Sequence, residues 1–78
     1  MAGEERNIKV GDVVLFQANM TSQRAAIVTE VRPVLKDGHE VLCLAVLTTQ
    51  DMTFKVDVPF SVADLTGMCR VGCWTWRN

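Results

Sequence analysis

Five short apolar runs, each closed by a turn signal, and one brief helix-like stretch ahead of the last run predict an all-β fold. Their order and length suit a small five-stranded SH3-like antiparallel barrel with one short helical turn before the final strand. The chain has 78 residues, 49% of them hydrophobic, which is one domain with apolar side chains to spare. The expected strands are residues 10–16, 24–31, 40–48, 52–58 and 72–76, and the expected helical turn is residues 61–66. The expected organisation is a polar N-terminal arm over residues 1–7 and a single barrel domain over residues 8–78.

Gly11-Asp12 is a turn signal, and Val13-Val14-Leu15-Phe16 after it is a β-rich run. Residues 17–23 are polar and read as a loop, the long first loop of such a barrel. In residues 24–31, Ile27, Thr29 and Val31 share one face and Ala26, Val28 and Glu30 the other. Arg32-Pro33 is expected to end that strand, because proline cannot donate to a ladder. Lys36-Asp37-Gly38-His39 then supplies a tight turn.

Residues 41–47 are apolar at every position. A strand wet on one face alternates, so a continuous run predicts cover on both faces. A small barrel covers only its inside, so the outward set (Leu42, Leu44 and Val46, or Val41, Cys43 and Leu47) calls for a partner surface. Self-association into a homo-oligomer is the expectation that follows. In residues 52–58 the alternation places Met52, Phe54, Val56 and Val58 inward and Thr53, Lys55 and Asp57 outward. Ser61 with Asp64 three residues later resembles a helix start, and Gly67 a helix stop.

The charge balance is eight basic against nine acidic residues, a net −1. Proteins that grip duplex DNA through its phosphates carry a basic excess, so duplex DNA is a poor fit. No apolar run reaches the length of a membrane span, so no membrane partner is expected. Residues 1–7 are polar and unlike a signal peptide, which points to a cytosolic setting. Three cysteines, Cys43, Cys69 and Cys73, form no even framework and no C-x-x-C, so they read as reduced thiols.

His39 is the only histidine and lies in a turn, where it reads as a solvated residue. No zinc-ligand spacing, nucleophile elbow or phosphate-loop glycine pattern occurs. The carboxylates fall mainly at turns and outward positions. The expectation is therefore a protein that is not an enzyme and needs no cofactor or metal. Trp74 and Trp76 are two apart and share a strand face, with Arg70 and Arg77 flanking them. That arrangement is a candidate aromatic platform with cationic edges, able to stack a base and hold a phosphate. Arg24, at the edge of the first loop, is a further candidate for the same ligand-binding site. The competing reading has both indoles cap the barrel or sit in a subunit interface.

Ala25-Ala26-Ile27-Val28-Thr29-Glu30-Val31 and Gly72-Cys73-Trp74-Thr75-Trp76 resemble segments of a group of small phage- and prophage-encoded β-barrel proteins. The resemblance spans residues 10–76. Cys73 stands where that group carries threonine, and the proline that often follows its last tryptophan is missing. The resemblance implies a phage origin and a small barrel, and carries over no catalytic residue. Three functions fit. The first is a non-catalytic binding protein in the host cytoplasm that sequesters an immune signalling nucleotide or blocks a host protein. The second is a virion component such as a head-decoration or connector protein. The third is a nucleic-acid-binding SH3-like module, which the neutral charge disfavours.

Overall fold

The computed structural model describes residues 8–36 and 38–77. The expected arm over residues 1–7, and Asp37 of the second turn, lie outside the described residues. The strands are β1 (Val13–Asn19), β2 (Ser22–Lys36), β3 (His39–Leu47), β4 (Met52–Val58) and β5 (Trp74–Thr75). They form one antiparallel sheet in the order β4-β3-β2-β1-β5. The chain leaving β4 returns along the free side of β5. The Trp74 N–H donates to the Pro59 carbonyl and the Ser61 N–H to the Trp74 carbonyl, both at 2.9 Å, and Phe60 bridges Trp74 in the parallel sense. The sheet thereby curls into a half-barrel of the small, all-β kind the sequence predicts.

The core lies on the concave face. Val14, Phe16, Ala26, Val28, Leu42, Leu44, Val46, Val58 and Trp74 are buried there with Ile8, and Val31, Phe60 and Trp76 pack at its margin. The Trp74 indole N–H donates to the Glu40 carbonyl at 3.1 Å, satisfying its one polar atom.

Four features differ from the sequence expectations, each for a local reason. The long first loop is absent. β1 runs to Asn19 and β2 starts at Ser22, so residues 17–23 are mostly strand around a two-residue turn. The Asn19 side chain accepts from the Thr21 N–H and hydroxyl, which closes the turn without a glycine. Secondly, Pro33 does not end β2. A register shift between Val31 and Leu35 takes the proline out of the ladder, and pairing resumes at Leu35 with Glu40 and at Lys36 with His39. Gly38, at φ +80, completes that hairpin.

Thirdly, no helix forms among the described residues. Asp64, read as part of a helix start, instead caps a turn. Its Oδ1 accepts from the Thr66 hydroxyl and N–H and from the Met68 N–H, and Gly67 follows at φ +87. Ser61 accepts the Arg70 N–H through its hydroxyl. Local side-chain bonds of this kind compete with helix for the same backbone groups, and here they win.

The fourth difference decides where the site lies. Leu42 pairs with Val58, but Leu44 pairs with Lys55, so β4 carries one extra residue. The bulge is at Asp57, whose φ of 54° is left-handed, a conformation aspartate tolerates better than most residues. One inserted residue reverses the alternation. Val58 points inward as expected, but Met52, Phe54 and Val56 point outward and are exposed. Thr53 and Lys55 take the inner face in their place. A similar shift in β2, between Val28 and Glu30, is bridged by the Thr29 hydroxyl donating to the Cys43 carbonyl at 3.1 Å. It brings Val31 to the inner face opposite Leu42. On β3 the inward set is Leu42, Leu44 and Val46, leaving Cys43, Ala45 and Leu47 outward.

Candidate ligand groove

Antiparallel partners directly opposite share a face. The register thus stacks inner-face rows: Phe16 beside Arg24, then Val14, Ala26, Val46 and Thr53, then Val28, Leu44 and Lys55. Of these, Phe16, Arg24, Val46, Thr53 and Lys55 line a groove of about 420 Å³ above the buried remainder. Phe16 and Val46 supply apolar surface with Arg24 between their strands, Thr53 and Lys55 line it from β4, and Val71 with Gly72 from beyond β1. Two cations and no carboxylate line it. Among the described residues, neither the Arg24 nor the Lys55 side chain is engaged in an ion pair or hydrogen bond. The volume is that of a small-molecule site.

The Val71–Gly72 wall is held in place by Gln17, which is fully buried. Its Oε1 accepts the Cys69 N–H at 3.1 Å, and its Nε2 donates to the Asn19 carbonyl at 2.7 Å and contacts the Met68 sulfur. The Gln17 backbone exchanges bonds with Gly72 and Cys73. Gln23 adds a bond to the Gly67 carbonyl at 2.6 Å. A polar residue read from sequence as loop is thus the clamp that docks residues 67–73 onto β1.

The five residues singled out from sequence separate in space. Arg24 lines the groove. Trp74 is 1% exposed and belongs to the core, so its ring offers no stacking face. Trp76 packs edge-on against Trp74 at 5.2 Å, in a series that continues through Phe60 to His39. Arg70 and Arg77 are exposed and do not line the groove. Lys55 and Thr53 were missed because unbroken alternation assigns them outward. The available signal was Asp57 just ahead of Pro59, a residue suited to positive φ at the end of a strand.

Cys43 and Cys73 are buried, Cys69 is half-buried, and all three are free thiols. Burial, then the neighbouring Cys73, pushes the Cys69 thiol above its ordinary pKa. Among the described residues, no cluster of three His, Cys, Asp or Glu side chains is placed to hold a metal ion. No helix among them is long and apolar enough to cross a membrane. No protein-family model matches the chain, and no curated protein and no solved structure matches it either.

Proposed function

We propose that this is a phage-encoded, non-catalytic binding protein that acts in the host cytoplasm by holding a small anionic ligand, with a signalling nucleotide as the leading class. The groove carries the reading. Arg24 and Lys55 offer two positive charges beside the apolar Phe16 and Val46, in a space of mononucleotide size. The Thr53 hydroxyl adds a donor and acceptor beside them. The resemblance of residues 25–31 and 72–76 to small phage barrels supports the origin. Self-association, expected from the two-sided apolar β3, belongs to the same reading.

The test is calorimetry with a panel of cyclic mono- and dinucleotides. At least one is expected to bind, and Arg24→Ala and Lys55→Ala are each expected to weaken it roughly tenfold or more, the usual scale for a hydrogen bond to a charged group. Neither change should shift the thermal midpoint, because among the described residues neither side chain has an ion pair or hydrogen bond to lose. A flat response across the panel rejects the nucleotide, and binding indifferent to both substitutions rejects the groove.

A further inference from the structure

Arg24 and Lys55 share the groove but not a position in it. The register sets Arg24 beside Phe16 in the first inner-face row and Lys55 beside Leu44 in the third, with Val46 and Thr53 in the row between. The two cations also stand on different strands, Arg24 on β2 and Lys55 on β4, with β3 between them. Two strand spacings of about 4.8 Å and four residues at about 3.4 Å place their Cα atoms roughly 17 Å apart along the sheet. Curling of the sheet shortens the direct line. Strand side chains stand roughly perpendicular to their sheet, however, so the two charged tips rise from different ends of the groove. A phosphoryl group within the roughly 3 Å of a hydrogen bond from one cation leaves the other unanswered.

We propose that the ligand of this groove carries two phosphoryl groups separated by a sugar, one for Arg24 and one for Lys55. This rests on the anion-binding reading above and narrows it. Charge matching favours it, since two cations and no carboxylate line the groove. Arg24 can meet its phosphoryl group through two parallel N–H donors, and Lys55 meets the other as a point charge. The stretch between them suits a nucleoside. Phe16 and Val46 offer apolar surface, and the Thr53 hydroxyl offers a donor and an acceptor to a sugar hydroxyl. The other hydroxyl lining the groove is already engaged, because Thr48 donates to the Asp51 carboxylate and accepts the Asp51 N–H. A volume of about 420 Å³ is near the small end for ligand pockets, which favours one nucleoside over two. A nucleoside 3′,5′-bisphosphate is therefore the leading form, and a cyclic dinucleotide is the larger form of the same chemistry.

Calorimetry of the full chain tests this with adenosine 3′,5′-bisphosphate, adenosine 5′-monophosphate, cyclic AMP, cyclic di-AMP and their guanine counterparts. A bisphosphate is expected to bind roughly tenfold or more tighter than either probe with one phosphoryl group, the scale of one added charge-assisted contact. Arg24→Ala and Lys55→Ala should each remove most of that advantage. Their effects on the bisphosphate should add, because the two cations share no partner. Circular dichroism checks that each variant is folded. A cyclic dinucleotide that binds tighter still supports the two-phosphoryl chemistry and assigns it to the larger form. Probes with one phosphoryl group that bind as tightly as the bisphosphate overturn the proposal and leave the groove reading standing. A double variant no weaker than either single one means a shared phosphoryl group and does the same. No binding by any probe overturns the proposal together with the nucleotide reading beneath it.

Discussion

Asp64 shows how one carboxylate replaces an expected element. The hydrogen bond from the Thr66 hydroxyl, then that from the Thr66 N–H, holds its pKa below the ordinary aspartate value. A folded-state pKa below the unfolded one contributes stability that is full above the unfolded pKa, about 3.9. It is lost as pH falls through the folded value. Because the group is exposed, the effect belongs to the turn and not to the whole fold. NMR titration is expected to show Asp64 ionising below a typical aspartate. The Thr66 and Met68 amides should shift with it and lose protection in acid. An ordinary midpoint for Asp64 would contradict the capped turn. Asp64 also marks a limit of pattern reading, since an acidic residue three after a serine serves a helix start and an Asx turn equally well.

At the scale of strands, the alternation of β4 was legible and its consequence was not. Met52, Phe54, Val56 and Val58 look like one buried face, yet the residue inserted at Asp57 sends the first three outward. The left-handed φ at Asp57 is the hinge of that reversal. Asp57→Val is expected to destabilise the fold by about 1–2 kcal/mol, the cost of placing a β-branched residue there. Asp57→Gly should cost less, because glycine accepts φ 54° and the exposed Arg32–Asp57 ion pair is worth little. Urea denaturation separates them, and equal midpoints for the two variants would refute the conformational argument. The same insertion places Lys55 in the groove and Phe54 on the outer face.

Across the whole molecule, closure of the half-barrel centres on Trp74. It pairs with Phe16 on β1, bonds Glu40 at the start of β3, and is flanked by Pro59–Ser61 from beyond β4. Trp74→Ala is expected to cost about 3–5 kcal/mol, as deletion of a fully buried aromatic does. Small domains have about 5–15 kcal/mol in all, so the variant should be largely or partly unfolded at room temperature. Trp74→Phe should lose less, chiefly the bond to Glu40. Far-UV circular dichroism with a urea titration reads both, and a wild-type midpoint for Trp74→Ala would contradict its place in the core. A surface platform, the alternative drawn from sequence, would tolerate that change.

The local code of the chain determined its fold class: the β-rich runs, their turn residues and an apolar content sufficient for one core. It also determined that β3 would be covered on both faces, because a run without polar interruption has no wet side to offer, and Leu42 to Val46 are buried on both within the single chain. Only the tertiary structure decided which side chains face the groove. Facing is a sum of single-residue parities along each strand, and one bulge, invisible in the pattern of apolar residues, inverts every position before it. Arg24 reached the groove through a hairpin that the sequence disguised as a loop, and Lys55 through that inversion.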